Sequence, residues 1–188
     1  MTALIKKGLL YILILNLAFP SAASARKAGF ADVLITENRG EITLYARVTD
    51  CFTRDMERAI LSGVPTTFTF FIELYQDVPY LWDKKLVSKT VKHTVKFDSI
   101  KKIFLFTTTR KKGSEQFTNF EHAKRAMSEL NGVNLIPVSA LKQGNSYYVR
   151  MKAKLDKIHL PWGLESVLFF VSLWDFETNW YEQRVNYP

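Results

Sequence analysis

The sequence predicts a mainly β protein: an antiparallel β-sandwich, immunoglobulin-like in its general architecture, with about eight strands and two short helices. Three observations favour this class. Apolar and polar residues alternate with a period of two in many segments, turn residues separate these segments, and no strand-helix-strand rhythm recurs. The alternative is an α+β fold in which the helices lie on one face of an open antiparallel sheet.

The amino-terminal residues 1–25 predict a secretory signal. Two lysines precede the apolar residues 8–19, and small residues ending at Ala25 form a cleavage site. An uncleaved anchor is the alternative, although the apolar run is short for a membrane span. We therefore expect an exported protein, periplasmic or otherwise extracytoplasmic, in which residues 26–188 form a single β-sandwich domain.

The mature chain opens with a predicted hairpin and a helix. Segments 31–37 and 41–48 alternate and are joined through Gly40, which is a hairpin signal. Thr53 can then cap a helix over 54–62 that carries an apolar stripe. Its members are Met56, Ala59 and Ile60.

Three further strands are predicted over 66–75, 86–97 and 102–109. In the strand predicted over 86–97, His93 lies on the inner face, which carries both apolar and polar residues. We expect it to be a hydrogen-bonded structural residue. The polar segment after the third is expected to be a loop whose basic residues 110–112 form a solvated rim.

A second helix is predicted to begin at Thr118, with Glu121 completing a capping box. Its apolar stripe ends at Leu130, and Asn131-Gly132 is expected to stop it. The remaining strands are expected over 133–141, 147–155 and, as a buried central strand, 166–174, with one more in the tail after 176. These segments complete the sandwich.

The segment 70–85 raises the question of a binding surface, because Tyr80 and Trp82 follow the break at Pro79. A proline cannot donate to a sheet ladder, so the chain crosses here between two strands. The sequence favours packing of Trp82 over the open end of the sandwich, with Asp83 as a turn acid. The alternative is an exposed surface, since Tyr and Trp are the residues that anchor interfaces.

A basic strand face is the second candidate site. Tyr148, Arg150, Lys152 and Lys154 alternate on the outward side of segment 147–155. They could bind anionic lipid or an envelope polymer. The net charge of +8 is compatible with an anionic partner, although plain solubility is the favoured explanation of the charge. The favoured interpretation is a guard of a sheet edge against pairing with another chain.

Enzyme motifs are missing from the sequence. No nucleophile elbow, zinc-binding HExxH pattern or phosphate-cradling glycine loop occurs. The single Cys51 excludes an internal disulfide and is expected to be a half-buried, inert thiol. The sequence predicts no metal, no cofactor and no nucleic-acid partner. A hydrolase that uses Asp156 with His159 stays open as the least favoured alternative. Glu73 is expected to be an ordinary surface carboxylate beside a basic neighbour.

Four segments carry a resemblance to a known family: LSGVPTTFTFFIEL, YLWDKKLVS, VRMKAKLDKIHLPWGLE and SLWDFETNW. Together they resemble the DUF4390 family of exported bacterial proteins over residues 30–181. The resemblance implies an exported single domain and no catalytic residue.

The leading functional hypothesis is therefore a non-enzymatic interaction module of the bacterial cell envelope. It would bind a protein partner through the aromatic corner at Tyr80 and Trp82. The alternative is a binder of anionic lipid or polymer that uses the basic strand face.

Overall fold

The computed structural model describes residues 27–156 and 176–185. The predicted signal, the predicted central strand 166–174 and His159 lie outside the described residues. Within them the strands are, in chain order, β1 (Gly29–Asn38), β2 (Glu41–Thr49), β3 (Thr66–Asp77), β4 (Lys84–Asp98), β5 (Ile103–Thr108), β6 (Glu115–Phe117), β7 (Glu129–Pro137), β8 (Ser146–Leu155) and β9 (Tyr181–Val185). Helices α1 (Arg54–Leu61) and α2 (Phe120–Ser128) and a short 3-10 turn at Val138–Ala140 complete the described elements.

The strands form two antiparallel sheets, which confirms the mainly β, sandwich-like fold. One sheet has the order β1-β2-β7 and the other β6-β5-β4-β3-β8-β9. One apolar core contains side chains from both sheets and from both helices. The alternation rule is confirmed most clearly in β3, where every second residue is fully buried: Phe68, Phe70, Ile72 and Leu74.

The predicted hairpin and the first helix are confirmed. Strands β1 and β2 form an antiparallel pair from Gly29 and Thr49 to Asn38 and Glu41, with one register shift between Ala31 and Leu34. Thr53 caps α1, because its hydroxyl oxygen accepts a hydrogen bond from the Met56 N–H at 3.2 Å. The apolar stripe of α1, including Met56, is buried as predicted.

The predicted start of the second helix is wrong by one residue. Asn119, not Thr118, caps α2, and its Oδ1 accepts from the N–H groups of Glu121 at 2.7 Å and His122 at 3.3 Å. An amide oxygen in this position can reach two of the free N–H groups of the first turn. The helix therefore begins at Phe120.

The predicted end of that helix is also wrong. The chain passes directly from Ser128 into β7, so Leu130 belongs to a strand and is buried there. Asn131 and Gly132 form a bulge opposite β2, where Leu44 pairs with Val133 and Ala46 with Leu130. Gly132 has a φ of +70°, a left-handed conformation that favours glycine over residues with a side chain. At the other end β7 stops at Pro137 and the 3-10 turn follows, so the strand predicted over 133–141 is shorter than expected.

The segment after β5 is exposed at Arg110, Lys111 and Lys112, as predicted for a solvated rim, but Arg110 also has a structural contact. Arg110 donates hydrogen bonds to the backbone carbonyls of Asn131, at 2.7 Å, and Gly132, so it ties this turn to the β7 bulge. The short strand β6, which the sequence does not predict, then pairs with β5.

Candidate partner-binding site

The hairpin between β3 and β4 carries the most exposed aromatic side chains of the described chain. Its six connecting residues, 78–83, are called the aromatic tip below. Tyr80 and Trp82 are fully exposed and Leu81 is 74% exposed. The predicted packing of Trp82 over the sandwich end is therefore wrong. Strands β3 and β4 pair out to Gln76 and Lys84, and the tip projects beyond that last pair.

Several hydrogen bonds give the aromatic tip a defined backbone. The Leu81 N–H donates to the Val78 carbonyl at 3.1 Å, and Tyr80 has a φ of +65°. Asp83 accepts from the Val78 N–H through Oδ1 at 3.3 Å, which confirms its prediction as a turn acid. Its other oxygen, Oδ2, accepts from the Tyr148 hydroxyl at 2.7 Å. The Asp83 carboxylate thus connects the first and last residues of the aromatic tip and joins them to β8.

Tyr148 connects the two sites predicted from the sequence. Its ring stacks on Tyr75 with centroids 5.3 Å apart and planes 7° from parallel. Burial and the Asp83 carboxylate raise the pKa of Tyr148 to about 12, so the hydroxyl stays a neutral donor. Beside it lies a polar groove of about 350 Å³, lined in part by Asp77, Glu182 and Arg184.

The expected guard role of the basic strand face is wrong, because β8 is not an edge. It lies between β3 and β9 and pairs with both. Arg150 is paired with Glu182 at 3.8 Å, and Lys152 forms an ion pair with Glu177. The acids come from the chain around β9, so the strand that removes the edge also neutralises two of the cations.

Trp180 covers the same face, a role that the sequence analysis missed. Its ring lies 4.4 Å from the Arg150 guanidinium and 5.7 Å from the Lys152 ammonium group. Lys154 lies over the Phe71 ring at 5.3 Å. Trp180, Glu182 and Arg184 alternate in the tail of the sequence, and this pattern could have predicted a strand with these three side chains on one face. Arg150 and Lys152 therefore contact an aromatic ring and acidic side chains of the same surface.

The remaining acidic candidates are also held in ion pairs. Burial raises the pKa of Glu73, but hydrogen bonds from Lys85 at 2.6 Å and Tyr75 outweigh it, so the pKa is lowered. This confirms the favoured interpretation of Glu73. Asp156 accepts from Lys92 at 2.8 Å and from the Thr69 hydroxyl, and here too the cationic partner outweighs burial and lowers the pKa.

The two buried groups that could react are structural in the described fold. Cys51 is fully buried and not half-buried as predicted. Burial raises the pKa of Cys51 to about 12, which keeps the thiol protonated, as expected for an inert residue. His93 lies between the Phe70 and Phe106 rings, and its Nδ1 is 3.2 Å from the Met127 carbonyl oxygen. Both contacts confirm the structural interpretation of His93.

We expect Tyr148→Phe to loosen the aromatic tip while leaving the tyrosine stack in place. Loss of the hydroxyl removes one hydrogen bond to Asp83 and should lower the free energy of unfolding by about 1 kcal/mol. Chymotrypsin cleavage after Tyr80, Leu81 or Trp82 should become several times faster. Tyr75→Phe is the control, since its hydroxyl bonds Glu73 and not the tip. Equal cleavage of both variants would contradict this role of Tyr148.

The described residues contain neither a metal-binding cluster nor a helix that could span a membrane. In 27–156 and 176–185, no group of three or more His, Cys, Asp or Glu side chains could hold a metal ion. No helix in the same ranges is long and apolar enough to cross a membrane.

Comparison with known proteins gives one match. The model of a family described as a domain of unknown function, DUF4390, matches residues 25–184. No curated protein matches the chain. No solved structure matches it either.

Proposed function

We propose that this chain, which belongs to the DUF4390 family, is a non-enzymatic interaction domain that binds a protein partner of the cell envelope through the aromatic tip. The observation that carries the proposal is the exposure of three adjacent large side chains, Tyr80, Leu81 and Trp82. Contiguous exposed apolar groups on a folded domain mark interaction sites more often than single ones do.

The chemistry of the tip fits a protein contact. Tyr and Trp dominate the binding energy of interfaces, because each buries a large area at a low entropic cost. The tip backbone is held by Asp83 and Tyr148, so little further ordering is needed on binding. Ile100 in the β4–β5 turn is also exposed, but it is not part of a run of adjacent exposed large apolar residues.

Export is the second part of the proposal and rests on the sequence. The predicted signal in residues 1–25 would deliver the domain outside the cytoplasm, whether or not cleavage follows. An envelope protein is therefore the partner class that the domain would meet.

The test is retention of envelope proteins by the immobilised mature chain, residues 26–188. Tyr80→Ala/Trp82→Ala should lower retention of a specific protein at least about tenfold, as expected when two anchors are lost. Ile100→Ala is the matched control, because it removes a 91% exposed side chain at the opposite end of β4. The double variant should keep its free energy of unfolding to within about 0.5 kcal/mol, since both rings face solvent. Unchanged retention by this folded variant would contradict the proposal.

The alternative partner, an anionic lipid or polymer on the basic strand face, draws less support. Arg150 and Lys152 already have acidic partners in Glu182 and Glu177. Binding to vesicles that contain phosphatidylglycerol, falling steeply with salt and lost in Lys152→Glu/Lys154→Glu but kept in the tip variant, would favour the alternative.

A further inference from the structure

The strand that leads away from the aromatic tip has one open side. Strand β4 is 15 residues long, but β5 pairs only with its second half, from His93 to Asp98. The first half, residues 84–91, pairs with β3 on one side. On the other side, no strand of 27–156 or 176–185 pairs with it.

Backbone hydrogen-bonding groups face this open side. The Lys92 N–H donates to the Thr109 hydroxyl at 3.0 Å, and the Thr109 N–H donates to the Lys92 carbonyl at 3.1 Å, so Lys92 faces the β5 side. Peptide groups alternate along a strand, so those of Ser88 and Thr90 point in the same direction. Ser88, Lys89 and Thr90 are three consecutive exposed residues, as expected for an uncovered edge.

The surroundings of the open side are positively charged. Lys84 and Lys89 lie on the strand itself, and the turn with Arg110 and Lys112 begins next to Lys92. Lys89 and Arg110 donate to backbone carbonyls, and neither forms an ion pair with an acid within 27–156 or 176–185. Lys84 and Lys112 have no acidic partner in the described part of the chain.

We infer that the partner contributes an extended acidic segment, which adds as a strand to the open half of β4. The inference deepens the proposed function and rests on it, because the same strand begins at the tip that would anchor the partner. Main-chain hydrogen bonds would supply affinity, and Asp or Glu side chains would meet the lysines. Pairing with a second copy of this strand is disfavoured, since lysines would then face lysines.

The geometry sets the length of this segment. Eight residues of β4 extend over about 26 Å at about 3.3 Å per residue. A partner segment of about six to eight residues would therefore cover the open half. One end of it would lie beside the tip, where Tyr80 and Trp82 can contact the body of the partner.

The test uses a displayed library of short random peptides, selected on the mature chain. Enriched peptides should alternate β-forming residues with Asp or Glu. Thr90→Pro should weaken their binding at least about tenfold, because it removes an N–H that the added strand would need. Thr90→Ala is the control, since it keeps the N–H, and its affinity should stay within about twofold. A proline is tolerated at this position of an edge strand, because the N–H has no partner in the described fold.

A second measurement needs no variant. Bound peptide should slow amide hydrogen exchange at Ser88 and Thr90 at least about tenfold. The Lys89 amide faces β3 and should change little. Failure to enrich acidic extended peptides, or unchanged exchange at both residues in the bound state, would overturn strand addition.

The two proposals fail in different ways. Peptides that bind the Thr90→Pro variant normally but lose binding to Tyr80→Ala/Trp82→Ala would overturn strand addition and leave the tip as the anchor. Peptides that lose binding to the Thr90→Pro variant but bind the tip variant normally would support strand addition. The retention experiment with envelope extract would then decide the role of the tip.

Discussion

Lowering the pH from 7 to 5 is expected to reduce the free energy of unfolding by about 2 kcal/mol through His93 alone. Burial lowers the pKa of this imidazole from 6.5 to about 4, although its hydrogen bond to the Met127 carbonyl acts in the opposite direction. Between these two values the unfolded chain binds a proton that the folded chain does not. The contribution of His93 to the free energy of unfolding is therefore fully present above pH 6.5, and it is lost as the pH decreases toward 4.

The surroundings of His93 explain why the folded state keeps the neutral ring. Phe70 and Phe106 cover it on two sides, and its exposed fraction is 3%. Among the charged groups, Arg110 disfavours protonation and Glu115 favours it, and the effect of Arg110 is the larger. Neither replaces the hydration that an imidazolium would lose.

The measurement is urea unfolding at pH 7, 6 and 5, on the wild type and on His93→Gln. The amide can keep a hydrogen bond to the Met127 carbonyl and does not titrate, so the variant should lose most of the decrease over this range. If the free energy of unfolding decreased equally with falling pH in the wild type and the variant, the assignment to His93 would be contradicted.

The strands could be predicted from the sequence because alternation is a local signal. In β2, β3 and β8 the buried apolar residues are the ones that the period of two places inward. Two outward threonines, Thr43 and Thr69, are buried as well, which alternation does not predict. The Thr53 cap and the buried face of α1 follow from equally local rules. Such predictions need no knowledge of which strands pair.

The junction between α2 and β7 could not be predicted by the same rules. Leu130 lies three residues after Met127, so it continues a helical stripe, yet it also lies on the buried face of a strand with Val133. Asn131-Gly132 is both a helix stop and a bulge signal. The choice depends on the partner strand β2, which is distant in sequence.

The candidate sites depended on non-local pairing in the same way. Arg150 and Lys152 have the pattern of a basic edge, and only the pairing with β9 makes β8 internal and brings Glu177, Glu182 and Trp180 onto it. Trp82 is exposed because the aromatic tip extends beyond Gln76 and Lys84, the last paired residues of β3 and β4. Residue type alone favoured a covered ring.

Replacement of Phe70 by alanine is expected to have the largest effect on stability. The ring is fully buried in the middle of β3 and contacts the edge of His93 at a centroid distance of 5.1 Å. Removing a phenylalanine from such a position leaves a cavity and costs about 3–5 kcal/mol. This loss is a large part of the free energy of unfolding of a typical domain, which is about 5–15 kcal/mol.

Phe71→Ala is the matched control, because the same side chain is removed from the next residue of the same strand. Phe71 lies on the opposite face of the sheet, half-buried under the Lys154 ammonium group. Its loss should cost only about 1 kcal/mol, from partial burial and a weak cation–π contact. Thermal and urea unfolding of both variants would measure the difference. Similar losses from the two positions would mean that the outer face of this sheet, between the aromatic tip and the basic strand, is covered as completely as the core.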